Sequence, residues 1–195
     1  MLRKAFFPVG LNLDGRTCVV IGADDDREAI EKAQALAESG AVVRRIYDAT
    51  GVREEDLSDA FFVISTPQDA QLSARLREWA ERRRFLLCCI DQPAFGFVAM
   101  AAIAKAGPVR VAISTAGLAP RIAKALKAGL QRAMDAKFER FVGHLARSRA
   151  RVQAEHPQPE DSPVRRRAMI EAARDFEARV EFAYPRWFDE ADGER

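Results

Sequence analysis

Metal-ligating and disulfide-forming side chains are nearly missing from this 195-residue chain, which has two histidines and three cysteines. Cys18, Cys88 and Cys89 show no CxxC spacing, and the last two sit inside an apolar run. Neither a disulfide framework nor a structural zinc site is expected from them. Long apolar stretches are scarce as well. The longest nearly uncharged one, Ala94 to Ala104, falls well short of the roughly 20 residues that span a bilayer as a helix. No signal-peptide core is expected either. Arg3 and Lys4 precede Phe6 and Phe7, but Pro8, Asn12 and Asp14 interrupt the apolar run. A cytosolic protein with no membrane partner is the expectation. Glycine (11) and proline (9) are too few for a collagen-like or low-complexity chain. What is present, 48% hydrophobic and 31% charged residues, is enough for a packed core. The length suits one domain with an appendage.

The net charge of +2 hides an asymmetry. Residues 14–60 hold twelve acidic and six basic side chains, whereas residues 121–151 hold nine basic and two acidic ones. The basic tract runs through Arg121, Lys124, Lys127, Arg132, Lys137, Arg140, Arg147, Arg149 and Arg151. It calls either for an anionic partner or for a solvated helix face. With only Phe138 and Phe141 as aromatics and no recognition motif, nucleic acid is not the expected partner. His144 and His156 belong to no motif, so no fixed metal site is assigned.

Strand and helix patterns alternate along the first two thirds. Thr17–Gly22 is a β-branched run ending in glycine, the pattern of a buried strand. Helical spacing follows over Asp25–Ser39 through Ala29, Ile30, Ala33, Leu36 and Ala37, with Gly40 as the stop. Further strands are predicted at Ala41–Tyr47, Phe61–Ser65, Phe85–Ile90 and Val109–Ser114, and a helix at Asp69–Arg83. Alternation of this kind predicts a parallel sheet covered on both faces. Beyond Pro120 the pattern is helical throughout. It predicts one helix over Ile122–Arg149, a polar proline-rich break at His156–Pro163, and another helix from Val164 to about Phe182.

A strand, a glycine and a helix start make the usual seat for a pyrophosphate on free backbone N–H groups. Here the turn reads Gly22-Ala23-Asp24-Asp25-Asp26-Arg27-Glu28. It has one glycine, and three carboxylates stand where phosphates would go. The same residues read equally as a capping box from Asp25 to Glu28, with acids offsetting the helix dipole.

Three blocks in order carry a family resemblance. Phe7-Pro-Val-Gly-Leu-Asn-Leu-Asp-Gly-Arg-Thr-Cys-Val-Val-Ile-Gly22 resembles the opening of the precorrin-2 dehydrogenase / sirohydrochlorin ferrochelatase family, the N-terminal module of siroheme synthases. Cys89-Ile-Asp91-Gln-Pro93 resembles that family's Val-Val-Asp-x-Pro segment. Val111-Ala-Ile-Ser-Thr-Ala-Gly-Leu-Ala-Pro120, with Arg121-Ile-Ala-Lys-Ala-Leu-Lys127 after it, resembles its Ile-Ser-Thr-Gly-Gly-x-Ser-Pro element and following helix. The resemblance covers about residues 5–150.

It implies an α/β fold, a shortened Rossmann-like parallel sheet followed by a helical dimerisation and C-terminal region. The implied division is 1–115, 116–152 and 153–195, in a homodimer. It also implies NAD-dependent oxidation of precorrin-2 to sirohydrochlorin, ferrous iron insertion into sirohydrochlorin, or both. Asp91 then matches the family's general base, although a turn-capping role with Pro93 is its alternative. Ser114, Thr115 and Gly117 match positions beside the tetrapyrrole, and Thr115 is alternatively a hydroxyl bonding the next helix start. Arg121 and Lys124 are candidates for the substrate's acetate and propionate arms, or for a dimer surface. Gly22, Ala23, Asp24, Asp48 and Thr66 are the candidate NAD positions.

The chain departs from the family at the cofactor end. Gly22-Ala23-Asp24 replaces Gly-Gly-Gly, and an expected arginine–lysine pair is reduced to Glu31-Lys32. Only 13 residues separate Tyr47 from Phe61, where a helix and a strand normally fit. Two readings therefore stay open: a siroheme-pathway enzyme, or a catalytically silent relative that binds a tetrapyrrole or a partner and has lost NAD.

Overall fold

Runs of β-branched and aliphatic residues that are buried on both faces form the centre of the structure, a computed structural model that describes residues 6–188. Arg3, Lys4 and the last part of the 153–195 region lie outside the described residues. The strands β1 (Thr17–Ile21), β2 (Val42–Ile46), β3 (Phe62–Ser65) and β4 (Leu86–Cys89) pair in the order β2-β1-β3-β4. All pairs are parallel; Cys18 stands opposite Val43 and Phe62, and Ser65 opposite Cys89. This is the α/β architecture that the alternation predicts.

Because side chains alternate along a strand, each strand supplies both faces. Val19, Ile21, Val63, Leu87 and Cys89 face α2 (Ala70–Arg83) and meet its Leu72, Leu76 and Ala80. Cys18, Val20, Phe62, Ile64 and Cys88 face α1 (Arg27–Ala37) and meet Ala29 and Leu36. The adjacent Cys88 and Cys89 thus point to opposite layers. All three thiols are free and buried, and burial pushes Cys88 up to about 11.

Local chemistry sets the helix ends. Asp69 accepts hydrogen bonds from the backbone N–H groups of Gln71 and Leu72, capping α2, which stops at Arg84 in a left-handed conformation. The N-cap of α1 is Asp26, one residue later than the predicted capping box at Asp25. Asp26 is the residue that turns extended (ψ 104°) after its N–H closes a turn onto the Ala23 carbonyl. Between β2 and β3 the shortened connection is a single 3-10 turn, Glu54–Leu57, whose Leu57 is fully buried.

Beyond the sheet the structure departs from the predicted elements in three places. An extra strand, β5 (Ala102–Ala106), pairs with β6 (Val109–Ile113) as a hairpin turned at Gly107 and Pro108. The predicted helix 122–149 is two helices, α3 (Pro120–Ala133) and α4 (Ala136–Glu155), because Asp135 accepts from the Phe138 N–H and starts a new one. The last predicted helix ends early: α5 covers Ser162–Ala172. The chain then turns, and the Phe176 ring lies on Phe141 with centroids 5.4 Å apart.

The chain divides into two compact units, one of residues 1–104 and 111–129, the other of residues 105–110 and 130–195. In the second unit Arg165 holds the carbonyls of His156 and Gln158 at 2.7 and 2.6 Å. Gln131 pairs its amide with both backbone groups of Lys105. Among the described residues no helix is long and apolar enough to cross a membrane.

Leu76 is fully buried between α2 and the sheet, so Leu76→Ala is expected to lower the unfolding free energy by about 2–5 kcal/mol. A urea titration followed by circular dichroism measures it.

Candidate functional site

In an open parallel sheet ligands collect at the carboxyl ends of the strands, where the strand order reverses. Here that point lies between β1 and β3, whose ends carry Gly22 and Thr66. The structure brings these two predicted residues together. Thr66 Oγ1 donates to the Asp26 carboxylate and stands 3.2 Å from the Ile21 carbonyl. A methyl group on Gly22 would collide with Thr66 Oγ1 and with Asp26 Oδ2. Side-chain oxygens of this chain therefore fill the space beside the glycine.

Asp26 Oδ1 also accepts from the N–H groups of Glu28 (2.9 Å) and Ala29 (3.3 Å). The Thr66 hydroxyl above all, with these amides and the nearby Arg45 charge, holds the Asp26 carboxyl below the usual range against a smaller opposing effect of burial. Ala23 and Asp24 are exposed, and the carbonyls of Gly22 and Ala23 accept from Arg45 Nη2 at 3.1 and 2.9 Å. Arg45 in turn lies over the Tyr47 ring, 5.0 Å from its centroid. Asp48, two residues beyond β2, folds back on Thr50. The hydroxyl and N–H of Thr50 donate to Asp48 Oδ1 at 2.6 and 2.9 Å and hold its carboxyl low. These residues do not fit the diphosphate of a dinucleotide, because the amides that would grip it already grip a carboxylate.

One strand over, the arrangement is open. Asp91 lies two residues past the end of β4 with its side chain exposed. Its backbone is left-handed, φ 57°, a conformation that asparagine and aspartate tolerate better than most residues. Gln68 Nε2, from the loop after β3, donates to Asp91 Oδ2 at 3.2 Å. Ser114, Thr115 and Gly117 form one tight turn before α3, with Ala116 and Gly117 both left-handed (φ 51° and 73°). Ser114 Oγ accepts from the Ala116 N–H at 3.3 Å and Thr115 Oγ1 from the Ala119 N–H at 3.4 Å. Arg121 and Lys124 are exposed on α3 and, among the described residues, form no ion pair. Asp91 and the Ser114–Gly117 turn belong to the same compact unit, with no hydrogen bond between them among the described residues.

Asp91 lines neither of two surface hollows of about 330 Å³. One is lined by Gly15, Thr17 and Phe61 at the opposite end of the sheet, the other by Pro163, Arg166 and Ile170 on α5. No cluster of three or more histidine, cysteine or carboxylate side chains able to hold a metal occurs among the described residues.

Sequence reasoning missed Asp26, Arg45 and Gln68. Asp26 was within reach of the N-cap preference, read one residue later. Gln68 is signalled only by its place just past Thr66, at a strand end. Nothing local marks Arg45, whose role depends on the pairing of β2 with β1.

Comparison with known proteins places this geometry. A family described as putative NAD(P)-binding matches residues 9–102. The siroheme synthase of Pseudomonas fluorescens (strain SBW25) is 29% identical over 170 residues, covering 78% of this chain and 36% of that protein. The siroheme synthase of Nitrosospira multiformis is 27% identical over 176 residues, covering 79% and 37%. The chain thus spans little more than a third of the length of these curated relatives. A solved structure titled SirC, precorrin-2 dehydrogenase, superposes with a TM-score of 0.67 at 21% identity, covering 87% of this chain and 90% of that one. That likeness shows the Rossmann-like fold.

Asp26 and Asp48 carry the expected pH behaviour. A carboxyl held low in the folded state contributes stability that is complete above its unfolded value, about 4. The contribution is lost as the pH falls through the depressed folded value. Urea midpoints taken from about pH 6 to about pH 2 are expected to fall, and to fall less steeply in Asp26→Asn.

Proposed function

We propose that this chain, which is similar over most of its length to part of the siroheme synthases and shares the fold of a precorrin-2 dehydrogenase, acts in siroheme formation on a carboxylate-bearing tetrapyrrole. The reaction is the oxidation of precorrin-2 to sirohydrochlorin, the insertion of ferrous iron into sirohydrochlorin, or both. The observation that carries the proposal is Asp91, an exposed carboxylate at the carboxyl end of the sheet with one oxygen steadied by Gln68.

Metal insertion exchanges two pyrrole N–H protons for one ferrous ion, with iron as substrate. It therefore needs a base that reaches the macrocycle and then releases protons to solvent, and an exposed carboxylate meets both demands. The same group would serve as base in the oxidation of the macrocycle, whose hydride acceptor finds no fitting seat at the loop between β1 and α1.

Binding falls to the next turn and helix. Ser114 and Thr115 offer hydroxyls, and Gly117 a close backbone approach. Arg121 and Lys124, which form no ion pair among the described residues, offer charge-assisted hydrogen bonds to acetate and propionate arms. The proposal includes the division into 1–115, 116–152 and 153–195, and a cytoplasmic location. It also includes a homodimer, since α3 buries none of its side chains and leaves Ile122 57% exposed, with Leu118 in the turn before it 73% exposed.

Asp91→Asn keeps a residue that accepts the left-handed turn and removes the base. It is expected to slow ferrous iron insertion by about 100-fold or more, followed by the absorbance change of sirohydrochlorin, while macrocycle binding persists. Equal rates in the two proteins, or no acceleration over free iron, would overturn the assignment. Ile122→Glu places a charge in the uncovered face of α3 and is expected to convert dimer to monomer in light scattering.

A further inference from the structure

The loop between β1 and α1 lies in the stretch that matches a family described as putative NAD(P)-binding, yet the glycine's free space and the amides of Asp26, Glu28 and Ala29 are used internally. We infer that this chain carries its own anion in place of the diphosphate, the Asp26 carboxylate, and holds no dinucleotide at this loop. The inference deepens the proposed function and rests on it only for the substrate.

The first-turn amides come first. Free N–H groups at a helix start are what bind a diphosphate. The N–H of Asp26 is committed to the Ala23 carbonyl, those of Glu28 and Ala29 to the Asp26 carboxylate, and that of Ile30 to the Asp26 carbonyl. Thr66, across the crevice and one residue past β3, adds its hydroxyl to the same carboxylate. The N–H groups of Asp26, Glu28 and Ala29 and the Thr66 hydroxyl, donors that a ligand here would use, are thus occupied.

Charge points the same way. Asp24, Asp25, Asp26 and Glu28 crowd the approach, and like charges at close range repel. The cations nearby are engaged: Arg27 with Glu31 at 2.9 Å, Lys32 with Glu28 at 3.4 Å, and Arg45 with the loop's own carbonyls. At the adenosine end the acid best placed for a ribose, Asp48, is closed on Thr50. The diphosphate seat and the ribose anchor are therefore each satisfied from within, by different residues.

The consequence is a division of labour. Metal insertion uses no nucleotide, so a chain of this kind keeps the part of the family's chemistry that depends on Asp91 and loses the part that depends on the first loop.

The test is titration of the full chain with NAD and with NADH, by calorimetry and by NADH fluorescence. It is done on the wild type, on Asp26→Ser, which retains a capping oxygen, and on Asp24→Gly combined with Asp26→Ser. Circular dichroism establishes that each is folded. The wild type is expected to show no saturable binding up to millimolar nucleotide, and the double variant to bind at least tenfold more tightly. Micromolar binding by the wild type overturns the inference. So does a folded double variant with no gain, since the carboxylates would then not be the obstacle. A parallel sirohydrochlorin titration separates the two claims. Macrocycle binding together with wild-type nucleotide binding sinks this inference alone, whereas nucleotide behaviour as expected without macrocycle binding sinks the proposed function alone.

Discussion

The hydrogen bond between the Asp26 carboxylate and the Thr66 hydroxyl sits where the sheet changes direction, and much of the surrounding geometry follows from it. Asp26 ends the loop from β1 and starts α1, and Thr66 ends β3. Joining them ties a helix start to the tips of two neighbouring strands. Gly22 has to be glycine because the joined oxygens take the volume beside its α-carbon. Arg45 is drawn to the loop carbonyls from β2 on the other side, and its charge favours the ionised acid. With that crevice filled, the open tips are those of β3 and β4, and there the unhindered acid and amide, Asp91 and Gln68, are found.

The sheet that supports these tips is unusual only in economy. Four strands of four or five residues suffice because β1, β3 and β4 are covered on both faces, one by α1 and the other by α2, while β2 at the edge is half-buried. Even the cysteines serve as small apolar side chains, one per layer at Cys88 and Cys89. A carboxylate on such a strand would need an internal partner, so the carboxylates of this region lie past the strand ends, where water reaches them.

Sequence reading recovers the parts governed by short-range pattern. The four parallel strands are evident in Thr17–Ile21, Val42–Ile46, Phe62–Ser65 and Leu86–Cys89, because β-branched and aliphatic runs bounded by polar turns have few other uses. It fails where tertiary contacts override pattern. Ala102–Ala106 is alanine-rich and carries little β propensity, yet the Gly107-Pro108 turn and the Gln131 amide hold it extended. Helical periodicity runs unbroken through Met134 and Asp135, so the division of α3 from α4 is hidden until Asp135 is seen capping. Residues 173–182 keep an apolar rhythm, but Phe176 turns back to stack on Phe141. The place of Asp91 past the end of a strand was legible from its neighbours in sequence. Its hydrogen bond to Gln68 was not, because 23 residues separate the two.

The left-handed backbone at Asp91 bears on how such a position can drift over generations. Side chains branched at Cβ meet the neighbouring carbonyl there, and only glycine, asparagine and aspartate adopt the conformation at small cost. A lineage that abandoned the acid would have two easy exits, an amide or a bare backbone. Either would leave the turn intact, so the record of a lost reaction would be a one-residue change in an otherwise undisturbed fold.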